Sequence, residues 1–133
     1  MPEPTTVLIC DDEHHIRLVL GSKLKSLGFV VIEARDGAEA LDLARVHRPR
    51  AVVSDYQMPG VDGLEFSTRL KADPQGSDIP VVLLTSRGHA VDPAVLARTN
   101  IKRIVDKPFS ARDVASLVQS MLEAGGADAR DVA

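Results

Sequence analysis

The sequence predicts an α/β fold: a five-stranded parallel sheet covered on both faces by helices. Three observations lead there. Short apolar runs alternate with segments of helical periodicity along the chain, the pattern of a parallel sheet with crossover helices. The apolar runs are continuous, as strands buried on both faces require. The length of 133 residues, 44% apolar and 26% charged, suits one domain that buries a core without disulfides or a structural metal.

Thr6 to Cys10 reads as the first buried strand. Ile16, Val19, Leu20, Leu24 and Leu27 follow at helical spacing, and Gly28 is the stop. Phe29 to Ala34 is the second strand. Gly37 to His47 is a helix with Ala40, Leu41 and Ala44 on one face and Pro49 beyond its end. Ala51 to Ser54 is the third strand, closed by Asp55. Gly63 to Ala72 is helical, with Phe66 and Leu70 sharing a face, and Asp73-Pro74 ends it. Ile79 to Thr85 is the fourth strand and the most apolar run. Asp92 caps a short helix that starts on Pro93 and reaches about Thr99. Arg103 to Val105 is a brief fifth strand. Ser110 caps the last helix, whose apolar stripe is Val114, Leu117, Val118, Met121 and Leu122. The domain is expected over 1–123. Residues 124–133 lack periodicity and read as a flexible tail.

Composition excludes several function classes. Nineteen acids against 16 bases give a net charge of −3 and no global attraction to nucleic acid or anionic membrane. With no Trp, one Tyr and three Phe, no aromatic platform for stacking bases can be built. The single cysteine, Cys10, rules out an intramolecular disulfide and a multi-cysteine zinc site. It ends an apolar strand and reads as a small buried hydrophobe. No apolar run approaches the roughly 18 residues of a membrane span, and Met1 to Thr6 has no signal-peptide pattern. A soluble cytoplasmic protein, monomeric or weakly dimeric, is the expectation.

The chemistry gathers where strands end. Asp11, Asp12 and Glu13 follow the first strand, Asp55 closes the third, Thr85 and Ser86 the fourth, and Lys107-Pro108 follows the fifth. In an open parallel sheet these carboxyl ends share one edge, where ligands bind at the reversal of strand order. Carboxylates so close repel when ionised. A hard cation such as Mg²⁺ relieves that repulsion and suits one or two carboxylates plus a phosphate. Lys107 is a point charge fit for a phosphoryl oxygen, and Thr85 offers a donor to the same oxygens. A carboxylate nucleophile can take a phosphoryl group as an aspartyl phosphate, and Asp55 on the middle strand is the candidate.

On these residues the chain resembles the receiver domain of two-component response regulators. The matching motifs are Asp11-Asp12, Asp55-Tyr56-Gln57-Met58-Pro59-Gly60 with Asp62-Gly63, Thr85-Ser86 and Lys107-Pro108-Phe109, and the similarity runs from Val7 to Leu122. The resemblance implies a flavodoxin-like fold with strand order 2-1-3-4-5. It implies a single-domain signalling switch in a phosphorelay, with no effector domain of its own. Asp55 would accept phosphate from a sensor histidine kinase or phosphotransfer protein. Asp12, Asp55 and the Gln57 carbonyl would ligate Mg²⁺, with Asp11 acting partly through water. Lys107 would hold a phosphoryl oxygen, Thr85 would act as the switch, and the Lys107–Pro108 bond would be cis.

The chain departs from the family pattern at Ile104, where relatives usually carry a Tyr or Phe coupled to the switch threonine. Gln57 and Arg87 occupy the positions that set phosphoryl lifetime in the family. Between Ser86 and Ser116, six basic residues face three acids, Asp92, Asp106 and Asp113. That excess reads first as a solvated mixed surface. The resemblance adds the alternative of a face for a downstream protein on the fourth helix, fifth strand and fifth helix, where the family commonly signals. The segment is too poor in aromatics for direct nucleic-acid binding. Two alternatives compete: a Mg²⁺-dependent phosphohydrolase using an aspartyl phosphate, and a phosphorylation-independent interaction module. Gln57 stands where the hydrolase needs an acid, and the intact acidic set disfavours the second. A flavin site lacks its phosphate loop after the first strand.

Overall fold

The computed structural model describes residues 4–86 and 91–132, with side chains as far as Glu123. Its strands are β1 (Thr6–Cys10), β2 (Val30–Ala34), β3 (Ala51–Asp55), β4 (Val81–Thr85) and β5 (Ile101–Asp106). Its helices are α1 (His14–Ser26), α2 (Gly37–His47), α3 (Gly63–Ala72), α4 (Pro93–Leu96) and α5 (Ala111–Val132). All strand pairs are parallel, and the order is β2-β1-β3-β4-β5, a flavodoxin-like doubly wound sheet.

Alternate strand residues feed two cores. Leu8, Cys10 and Val52 pack with Leu41, Ala44, Phe66 and Leu70 of α2 and α3. Val7, Ile9 and Val53 pack on the other face with Leu20 and Leu24 of α1 and Val114 and Val118 of α5. The chain leaves β1 toward β2 and returns on the far side as β3. The order therefore reverses between β1 and β3, beside Asp11, Asp12 and Asp55.

The departures from expectation have local causes. The buried stripe of α1 is Arg17, Leu20, Gly21 and Leu24, while Val19 and Leu27 are 37% and 38% exposed. Counting only apolar residues rotates the stripe, because its first member is an arginine and its third a glycine. Phe29 donates its N–H to Leu24 O and so belongs to the helix end, not to β2. Gly28, at φ +95°, makes the turn between them. β4 starts after Pro80, which has no N–H for a ladder. α4 stops at Leu96, where Thr99 Oγ1 and Thr99 N–H both bond Leu96 O. β5 is longer than expected, taking in Ile101, Lys102 and Asp106, because an edge strand tolerates exposed Lys102 and Asp106.

Residues 124–132, read from the sequence as a tail, continue the α5 backbone as helix. Asp36 is an N-cap the apolar pattern does not reveal: its carboxylate accepts from Glu39 N, while Glu39 accepts from Arg35 N.

Candidate functional site

Asp11 leaves β1 with its main chain still tied to the sheet, its N–H donating to Ala34 O at 3.1 Å. Its side chain folds back so that Oδ1 accepts from Glu13 N at 2.9 Å. The residue is fully buried, and its Oδ2 has no hydrogen-bond partner. Burial pushes the Asp11 carboxyl up to about 6, the Glu13 bond and Lys107 opposing and the Asp55 and Asp12 charges adding to the rise. Asp12, one residue on, is exposed.

Asp55 ends β3 and is 4% exposed. Its Oδ1 lies 2.8 Å from Lys107 Nζ. Burial pulls the Lys107 ammonium down. The hydrogen bond to Asp55 and the fields of Asp55, Asp11 and Glu13 outweigh it and hold Lys107 above the ordinary lysine value. Gly63 packs against the back of Asp55: a Cβ there would sit 2.2 Å from Asp55 O. Its N–H donates to Tyr56 O at 2.8 Å, and Asp62 caps α3 by accepting from Glu65 N at 2.8 Å. The Asp62-Gly63 pair thus fixes the loop behind Asp55.

One oxygen each from Asp11, Asp12 and Asp55 fall within 4.8 Å of one another. Beside them lies an open hollow of about 430 Å³ lined by Asp12, Tyr56, Gln57, Met58, Pro59 and Asp62. An unpartnered buried carboxylate oxygen within an all-oxygen donor set fits a hard divalent cation such as Mg²⁺.

Thr85 is buried at the end of β4, and its carbonyl accepts from Lys107 N at 3.0 Å, so the switch candidate and the lysine share one strand junction. The Lys107–Pro108 bond is cis. Ile104 pairs with Leu83 in β5, half-buried, inside the same junction. Arg87 lies outside the described residues. Cys10 packs into the core under α2 and α3, its thiol 3.1 Å from Met58 Sδ and donating to Asp36 O. Burial pushes that thiol up to about 12, which leaves it protonated and unreactive. Met58 packs into the core of α2 and α3.

Sequence reasoning missed Arg17 and Glu33. Arg17 Nη1 donates to Asp11 O at 2.8 Å, and Nε to Glu33 Oε1 at 3.1 Å. The available signal was a charged residue in register with Leu20, Gly21 and Leu24 on the buried stripe.

Comparison with known families matches the response regulator receiver domain over residues 7–119. The response regulator Rre1 of Synechocystis is 35% identical over 123 residues, 92% of this chain and 53% of that protein. A probable transcriptional regulator, ycf27 of Cyanophora paradoxa, is 34% identical over 116 residues, 87% of this chain and 47% of its own length. The chain therefore spans about half the length of these curated relatives. Among solved structures, a putative response regulator from Chloroflexus aurantiacus superposes with a TM-score of 0.81 at 27% identity, covering 91% of this chain and 99% of that one. With the strand order, the acidic cluster at the order reversal and a family match over most of its length, this chain belongs to the receiver domains of two-component response regulators.

Proposed function

We propose that Asp55 is the phosphoacceptor of a cytoplasmic signalling switch, and that the domain, over residues 1–123, catalyses only its own phosphorylation and dephosphorylation. The observation that carries this reading is the Asp55 carboxylate itself. It is buried, paired to Lys107 at 2.8 Å, and within 4.8 Å of two further carboxylates. A buried acid in that company is costly unless a ligand of matching charge is its purpose. Asp55 Oδ attacks the phosphorus of a phosphohistidine on a sensor kinase or phosphotransfer protein. The P–O bond forms as the P–N bond breaks, and the imidazole leaves with the electron pair.

Asp11, Asp12, Asp55 and the Gln57 carbonyl would hold Mg²⁺, which when bound would offset the charge shared by acceptor and phosphoryl group. Lys107 moves its ammonium from the Asp55 carboxylate to a phosphoryl oxygen. Thr85, rooted beside Lys107, donates its hydroxyl to another. The signal leaves through α4, β5 and α5 as changed affinity for a protein partner. The test is labelling by acetyl phosphate with Mg²⁺ present. Wild type is expected to gain one acid-stable, base-labile phosphoryl group, and Asp55→Asn none. Undiminished labelling of Asp55→Asn overturns the assignment.

A further inference from the structure

Among the described residues, Arg17 is the one buried arginine, 8% exposed, on the sheet-facing side of α1. Burying a guanidinium is costly unless its donors are used. Here each face of the fork has an acceptor. Nη1 reaches Asp11 O at 2.8 Å, Nε reaches Glu33 Oε1 at 3.1 Å, and Nη2 lies 3.4 Å from His14 Nδ1. Glu33 stands on β2 opposite Ile9 of β1, two residues before Asp11. Arg17 thus bridges α1, β2 and the end of β1.

The bridge ends on the main chain of the acidic pair. Asp11 is held at three atoms: its N–H by Ala34 O, its Oδ1 by Glu13 N, and its carbonyl by Arg17. The side-chain atom left over is Oδ2, buried and without a hydrogen-bond partner. The same carbonyl belongs to the peptide that joins Asp11 to Asp12. Asp12 is exposed, and that peptide sets where its side chain leaves the main chain. Freeing the carbonyl lets that peptide plane rotate and moves both acids at once.

We propose that Arg17, anchored by Glu33, is a positioning residue for the cation site: it orients the Asp11–Asp12 peptide so that both carboxylates converge with Asp55 before any ligand binds. This rests on the cation reading given above. It adds that the convergence is imposed from beneath the loop by a buried guanidinium. A lysine keeps the charge but has no planar fork to span a carbonyl and a carboxylate.

Mg²⁺ titration of the intact chain, followed by emission of Tyr56, tests it. Tyr56 is the only tyrosine, there is no tryptophan, and it lines the hollow beside Asp12. Arg17→Ala is expected to weaken Mg²⁺ binding about tenfold, the lower end of what outer partners of metal ligands carry. Arg17→Lys should remain about fivefold weaker than wild type despite its charge. Leu24→Ala, on the same stripe but touching no loop atom of the site, should lower the melting temperature with Mg²⁺ affinity within about twofold of wild type. Arg17→Lys decides the matter if Arg17→Ala does not fold. Wild-type affinity in Arg17→Lys, or an equal loss in Leu24→Ala, overturns the positioning role. A wild type with no saturable response to Mg²⁺ overturns the cation reading itself.

Discussion

Replacing Asp11 with Asn removes the worst-placed charge in the site. Asn keeps an Oδ1 for the Glu13 N–H. It also puts an amide where a buried carboxylate oxygen has no partner and where Asp12 and Asp55 supply acceptors. The folded-state pKa of Asp11 is raised from 3.8 to about 6. A raised carboxyl pKa contributes stability that is fully present below 3.8 and is lost as pH rises through 6. Two pKa units correspond to about 3 kcal/mol, all of it lost by pH 7.5. Subtracting about 1 kcal/mol for burying the amide leaves Asp11→Asn about 2 kcal/mol more stable than wild type at pH 7.5 without metal. At pH 4.5 most of the wild-type penalty is gone, and the advantage falls by about 2 kcal/mol.

Urea unfolding followed by far-UV circular dichroism, in EDTA at the two pH values, measures both quantities. The order should invert in Mg²⁺, which stabilises wild type by linkage and the variant less. A variant less stable than wild type at pH 7.5 in EDTA, or an advantage that does not change with pH, refutes the reasoning.

Lys107→Ala leaves Asp55 buried without its 2.8 Å partner and should cost about 2 kcal/mol of stability, less than a fully buried pair because Lys107 is partly exposed; urea unfolding in EDTA checks it. Gly63→Ala places a methyl 2.2 Å from Asp55 O, so it should destabilise by about 3 kcal/mol and slow labelling by acetyl phosphate even where it folds. Beryllofluoride, a mimic of the phosphoryl group, should shift amide resonances of β5 and α5, including Ile104, as well as those around Asp55. Changes confined to α1 and α2 would put the output surface elsewhere.

Much of this architecture was legible because the sheet is buried on both faces. Val81 to Thr85 has no polar residue before its last, and such a run admits few placements in a chain of this size. The site was legible for a related reason. A parallel sheet delivers every strand's carboxyl end to one edge, so the positions of Asp11, Asp55, Thr85 and Lys107 along the chain determine that they meet. The 2.8 Å pair of Lys107 with Asp55 makes that meeting concrete. Edge strands and helix ends were read less well. Lys102 and Asp106 hide the ends of β5 because an edge needs no apolar residue there, and Thr99 stops α4 by a side-chain bond that periodicity does not register.

Arg17 was illegible for a different reason. Hydrophobic periodicity treats a charged residue on the core side of a helix as noise, and the stripe then shifts to Val19, which is 37% exposed. Its partners are a backbone carbonyl and a glutamate on another element, neither of which leaves a spacing in the chain. Burial reverses the inference. An arginine that gives up its hydration must spend its donors on particular atoms, and those atoms show what it organises. Here they are the carbonyl that joins the two aspartates and the strand that holds the first. The Asp11–Asp12 pair is therefore crowded by one set of forces and held in place by another, and a cation that relieves the crowding meets carboxylates already converged.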